Sequence, residues 1–309
     1  MTSMNKTLVS LTTVVLAAGL IAPPPAHAEI RVFACEPEWA ALAREIGGDK
    51  IDAFSATHAG QDPHHIRAKP SLIAKIRRTD LLFCSGAGLE VGWLPLLLQR
   101  GAPARIQPGK PGYLMATDHI EVLEQTTVTD RSFGDVHPEG NPHAHLDPRN
   151  LPLLATVLQQ RLATLDKINA EYYRDRAANF TAAWGRRLAA WEVRRSALKG
   201  MPVIVHHRTW SYMVRWLGLR EIASLESKPG IPPTPSHLSA LLQTVRTQPV
   251  KAILLTPYDP TGPADWLHGK TGIPIVTLPY TVSRDAGPGA LARLFENMLS
   301  QLERAHGIR

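Results

Sequence analysis

From Lys167 to Leu198 the sequence keeps a helical pattern with one internal glycine, Gly185, and on either side of it short apolar, β-rich runs alternate with helical ones. Roughly thirty residues at 1.5 Å each make a helix about 45 Å long, more than a small domain is wide. Such a helix suits a spine between two lobes, and one internal Gly costs it only about 1 kcal/mol. The spacing therefore predicts an α/β chain of two lobes, each with a parallel sheet flanked by helices, joined by a long rigid backbone helix. The expected boundaries are a leader over 1–28, a first lobe over 29–165, the linking helix over 166–198 and a second lobe over 199–309.

In the first lobe the expected strands are Ile30–Ala34, Ile51–Ser55, Leu81–Cys84 and Asp118–Leu123, with helices over Glu38–Ile46 and Pro70–Arg78. Pro70 stands where a first helical turn tolerates proline. A second helical pattern begins near Pro148 and breaks near Leu165-Asp166. Beyond the spine, Val203–Val205, Ala252–Leu255 and Ile275–Leu278 read as strands. Trp210–Leu217 and Pro235–Thr247 read as helices, the former ended by Gly218. Parallel sheets gather their binding loops at the carboxyl ends of the strands.

The leader is read from Lys6, the apolar stretch Leu8 to Ala22, and Ala26-His27-Ala28 as a small-x-small cleavage site. Export to the periplasm with cleavage after Ala28 is the expectation. The net charge of +7 is spread along the chain, its only adjacent arginines being Arg77-Arg78, Arg186-Arg187 and Arg194-Arg195. No basic stripe with interleaved aromatics appears, which argues against nucleic acid. The two cysteines, Cys35 and Cys84, each follow a buried-strand pattern. In an oxidising compartment a disulfide is expected if those strands are neighbours; two buried thiols or thiolate ligands are the alternatives.

Six of the 13 histidines stand in three groups: Asp62-Pro63-His64-His65, Asn141-Pro142-His143-Ala144-His145 and Val205-His206-His207. Neutral imidazole is a versatile transition-metal ligand. Asp-Pro and Asn-Pro are turn-forming, and proline fixes the backbone so that the side chain after it is held in place. Imidazoles from three distant segments would form a site only in the folded chain, on both walls of an inter-lobe cleft. Strand alternation sends His206 and His207 to opposite sides, so at most one faces a given metal. His137 reads as part of a solvated polar loop. There is no HExxH pair, no G-x-S-x-G elbow and no phosphate-binding Gly-rich loop.

Asp62-Pro63-His64 with Pro70-Ser71, Asp80-Leu81-Leu82 and Gly88-Leu89-Glu90 resembles the first-lobe pattern of the solute-binding proteins of zinc and manganese ABC importers. Asn141-Pro142-His143-Ala144-His145-Leu146-Asp147-Pro148 is similar to that family's second ligand motif, and His207-Arg208-Thr209-Trp210-Ser211-Tyr212 to its third. The likeness runs through the mature chain in order. It implies His64, His143 and His207 as metal ligands, and a fourth ligand, commonly Asp or His, shortly after the last strand. Tyr280 stands at the nearest match, so Asp285 is the expected fourth ligand, with Tyr280 or water as alternatives. His in the third motif, where manganese-type relatives often carry Glu, favours Zn(II) as the transported ligand.

The resemblance implies capture without chemistry: zinc enters the cleft, and the loaded protein docks on an ABC permease in the inner membrane. A zinc chaperone that loads the protein is an open further partner; nucleic acid is not expected, and the chain is expected to act as a monomer. The competing reading is a periplasmic zinc-dependent hydrolase, with three histidines and a water around the metal. It would need a general base beside the water, for which Glu90 and Asp285 are the candidates.

Overall fold

The structure, a computed structural model, describes residues 29–128, 130, 132 and 134–308. The leader expected over 1–28 thus lies outside the described residues. The first sheet is formed by β1 (Ile30–Ala34), β2 (Ile51–Ser55), β3 (Leu81–Cys84) and β4 (Tyr113–Met115), all parallel, in the order β2-β1-β3-β4. Its connections are the helices α1 (Pro37–Gly47), α2 (Pro70–Ile76) and α3 (Leu94–Gly101). Pro37, Pro70 and Pro95 each occupy the first turn of their helix, where the absent N–H goes unmissed. The strand expected at Asp118–Leu123 lies earlier, at Tyr113–Met115, and is followed by a 3-10 turn over Ala116–His119. Leu114 and Met115 supply the buried apolar pair that the pairing with β3 requires.

After α4 (Asn150–Leu165) the chain turns at Asp166 and enters α5 (Ala170–Leu198), the long linking helix. Gly185 faces open space and is carried without a kink-forming contact. The second sheet repeats the first: β5 (Pro202–Val205), β6 (Arg220–Ser224), β7 (Ala252–Leu255) and β8 (Ile275–Thr277), parallel, ordered β6-β5-β7-β8. Around it lie α6 (Ser211–Leu217), α7 (Pro235–Thr247), α8 (Gly262–Thr271) and α9 (Ala290–His306). Gly218 ends α6 at φ 67°, the left-handed cap that a side chain would strain.

One apolar core runs through both lobes, from Val32 and Phe83 through Trp184 and Trp191 of α5 to Val203, Leu254 and Phe295. The spine packs on α1, α4 and α9. Trp191 donates to Glu296 (2.6 Å), and Arg194 pairs with Glu303 (2.7 Å), both on α9. The carboxyl ends of β2 and β5 lead into the segments that carry His64 and His207.

The disulfide joins Cys35 and Cys84, whose Cα atoms are 4.8 Å apart. The parallel pairing of β1 with β3 brings the carboxyl ends of these strands side by side, so the expected cross-link is formed and neither cysteine is a metal ligand.

Candidate metal centre

Two of the three histidine segments are built by the same local device. Asp62 Oδ1 accepts from the backbone N–H of His64 (2.9 Å), and Asn141 Oδ1 accepts from that of His143 (3.0 Å). In each, an Asx side chain bonds two residues on while the intervening proline fixes φ, a turn closed by its own sequence. Asn141 also donates to Glu124 (3.0 Å) and to the Arg208 carbonyl (2.8 Å). From α6, Tyr212 Oη donates to the Asn141 carbonyl (3.0 Å) and accepts from Leu123 N–H (3.2 Å). The second and third motifs are thereby tied together across the cleft.

The rings of His64, His143 and His207 converge. Their centroids are 5.4, 5.5 and 6.1 Å apart, and one nitrogen from each lies within 4.8 Å of the other two. Each ring has its Nδ1 beside an oxygen: His64 at Asp62 (2.7 Å), His207 at Glu226 (2.8 Å) and His143 at Tyr280 Oη (3.1 Å). Second partners of this kind fix tautomer and orientation in metal-binding histidines and leave Nε2 as the coordinating atom. The Nε2 of His143 is buried with no hydrogen-bond partner, a cost that a bound cation would remove. Among the described residues no other group of histidine and carboxylate ligands meets this way, the other metal-capable group being Cys35, Cys84 and Glu90, whose thiols are spent on the disulfide.

The electrostatics divide the three rings. Burial, reinforced by the neighbouring imidazoles of His64, His207 and His137, drives His143 well below the ordinary histidine range. Burial also pushes His207 down, but the hydrogen bond and charge of Glu226 outweigh it and leave His207 raised. Burial would raise Asp62 and Glu226. The histidines that each faces overcome this and hold both carboxylates at about 2. Tyr280 is held well above the usual phenol range by burial and by the nearby Tyr258 and Glu38, so it meets His143 as a neutral phenol.

Asp285 does not join this group. It is exposed, and Arg44 of α1 clamps the turn around it by donating to the carbonyls of Arg284 (3.0 Å) and Ala286 (3.4 Å). That anchor turns the segment toward the first lobe, so Asp285 lines a separate surface recess with Ser283, Gly287 and Asn297. Tyr280 stands in the site instead, behind His143. His145 lies beneath it, with Nε2 at the Tyr280 carbonyl (3.0 Å) and Nδ1 3.2 Å from Glu38. Glu90 is buried and accepts from the N–H groups of Ser85 (2.7 Å) and Gly86, which leaves it no role as a base at the cleft.

His137, read above as a solvated loop residue, is drawn into the site. Its Nε2 is 3.2 Å from Nε2 of His64, and its Nδ1 lies 3.0 Å from the Ala87 carbonyl. Ala87 itself is at φ 48°, between two left-handed glycines, Gly86 and Gly88. All three residues of the run Gly86-Ala87-Gly88 are at positive φ, and the Ala87 carbonyl of this run meets His137. Glu226 was also missed, since it follows β6, a strand whose mixed pattern Arg220-Glu221-Ile222-Ala223-Ser224 carries little apolar signal. Two recesses open onto the cluster, one of about 280 Å³ beside His137, His143 and His207, the other of about 360 Å³ beside His64, Glu226 and Asp259.

Comparison with known proteins gives a consistent picture. The family profile described as ZnuA, zinc-uptake complex component A, periplasmic, matches residues 32–305. The manganese ABC transporter substrate-binding lipoprotein PsaA of Streptococcus pneumoniae is 22% identical over 263 residues, 82% of this chain and 81% of that one. The iron ABC transporter substrate-binding lipoprotein MtsA of Streptococcus pyogenes serotype M1 is 22% identical over 268 residues, 84% of this chain and 83% of its own. A crystal structure of ZnuA superposes with a TM-score of 0.72 at 20% identity, covering 90% of this chain and 99% of that one. That likeness bears on the fold.

Proposed function

The chain belongs to the zinc-uptake component A family of metal ABC transporter substrate-binding proteins, which are carriers and not enzymes, and from that premise we propose that it captures Zn(II) in the periplasm and delivers it to an ABC permease. The observation that carries the reading is the set of three imidazoles whose Nδ1 atoms all face oxygen partners. The ligands are His64, His143 and His207 through Nε2, and His137 is the fourth. A tetrahedral zinc with bonds of about 2.0–2.1 Å separates its ligand atoms by about 3.3–3.4 Å. The 3.2 Å between the Nε2 atoms of His64 and His137 is close to that edge. The carboxylates of the site, Asp62 and Glu226, are engaged by Nδ1 atoms, so the donor set is nitrogen alone, which suits zinc better than manganese. No catalytic step is needed; release follows from movement of the ligand loops, since the spine and shared core keep the lobes together.

The test is metal content and zinc titration of the mature chain, with manganese as competitor, beside His64→Ala, His143→Ala, His207→Ala and His137→Ala. One zinc per chain, lost in the first three variants and weakened in the fourth, supports the reading. Zinc retained in any of the first three removes that residue from the site. Manganese displacing zinc at equal concentration would overturn zinc as cargo and leave the carrier family untouched.

A further inference from the structure

A second cavity, of about 1140 Å³, lies on the face of the first sheet opposite α1. Strand alternation and register put Arg31 beside Asp52 and Phe33 beside Phe54 on this face. The cover there is α2, seven residues and so only about 10 Å long. It packs on α3 and leaves the edge strand β2 partly bare, with Asp52 exposed and Phe54 half-buried. The floor is apolar: the rings of Phe33 and Phe54 are 5.5 Å apart, with Ile66 and Leu72 beside them.

The walls are cationic. Arg67, Lys69, Lys75, Arg78 and Arg284 line the cavity, and Asp52 is the one acid among the described residues that line it. None of those five makes an ion pair among the described residues, while Arg31 is already satisfied by Asp80 at 2.9 Å. Lys75 lies 5.1 Å over the Phe54 ring, joining charge to floor. Like charges gathered on a concave wall repel one another and focus their field inward, which favours an anion there. The volume is slightly above the range of about 300–1,000 Å³ usual for pockets that hold a small organic molecule.

We propose that this cavity is a second ligand site, separate from the metal centre, for a small organic polyanion with an apolar body. The carboxylates or phosphates of the ligand meet the Arg and Lys rim, and its apolar part rests on Phe54. A flat acidic protein surface would leave the concave floor unfilled. His65, next to His64, lines both this cavity and the metal cleft, so an occupant would abut the loop that holds His64.

The experiment is calorimetric titration of the full mature chain, metal-free and at physiological salt, with benzene-1,3,5-tricarboxylate and separately with inorganic pyrophosphate. The variant is Lys75→Glu with Arg78→Glu, both exposed, with thermal unfolding as the control for folding. One-to-one tricarboxylate binding, weakened roughly tenfold or more by the double reversal, is expected. Pyrophosphate, which lacks an apolar body, is expected to bind roughly tenfold more weakly. No saturable binding, or binding unchanged in the folded variant, overturns the site. Equal binding of pyrophosphate overturns the role of the apolar floor. Capture of a poly-glutamate peptide without the tricarboxylate, lost in the variant, would make the cavity a protein-docking surface and overturn the small-molecule assignment.

Discussion

Replacing Glu226 tests the site through a residue that need not touch the metal. One oxygen of Glu226 faces His207 Nδ1 and accepts from Gly230 N–H, both at 2.8 Å, while the other lies 3.6 Å from His206. Glu226→Gln keeps an uncharged acceptor for His207 and loses the charge assistance, about half the strength of such a bond. Glu226→Ala loses both and strands the Gly230 amide. Outer partners of metal-bound histidines are worth roughly 10–100-fold in affinity. The Gln variant should therefore lose about tenfold in zinc affinity at pH 7.5 and the Ala variant about 100-fold, or about 1.4 and 2.7 kcal/mol. The pH dependence has a definite sign. Glu226 holds the His207 pKa up against burial, so in the parent protein protons compete with zinc at His207 from a higher pH downward. Without that charge burial lowers the His207 pKa, and proton competition weakens. The gap between parent and Gln variant should accordingly shrink between pH 7.5 and pH 6. Competition titration against a fluorescent zinc chelator at both pH values reads this directly. A gap that is constant or widens in acid refutes the electrostatic account, and full affinity in the Ala variant refutes the placement of His207 as a ligand.

Asp285→Asn should leave zinc affinity within about twofold of the parent, because its exposed carboxyl sits in another recess; a tenfold loss in the same titration would restore it as a ligand. Cys35→Ala with Cys84→Ala should lower unfolding stability by about 4 kcal/mol, from the chain entropy of a loop with a sequence separation of 49. Denaturant titration checks this, and a loss below about 1 kcal/mol would mean that the cross-link constrains little.

The contrast between Asp285 and His137 shows where reading along the chain stops. Asp285 follows the last strand closely and looks like a ligand by position. Its direction is set by Arg44, separated from it by most of the chain, whose guanidinium bonds the carbonyls on either side of it. His137 stands in a polar run with no local pattern. It reaches the site through the Ala87 carbonyl, and only the folded chain brings that carbonyl near. Glu226 likewise acquires its partner through the pairing of β5 with β6.

What the sequence determined by itself is local. The alternation of β-rich and helical runs requires parallel sheets, the thirty-residue helical pattern requires a spine, and the Asx-Pro-His triplets at 62–64 and 141–143 close their own turns, because all of their interactions lie within a few residues. The tertiary structure alone decided which oxygens face His143 and His207, that His137 and not Asp285 lies beside the cluster, and where the cationic cavity opens. Those depend on contacts between segments tens to hundreds of residues apart, and hydrogen-bond direction and charge at such contacts are set by packing.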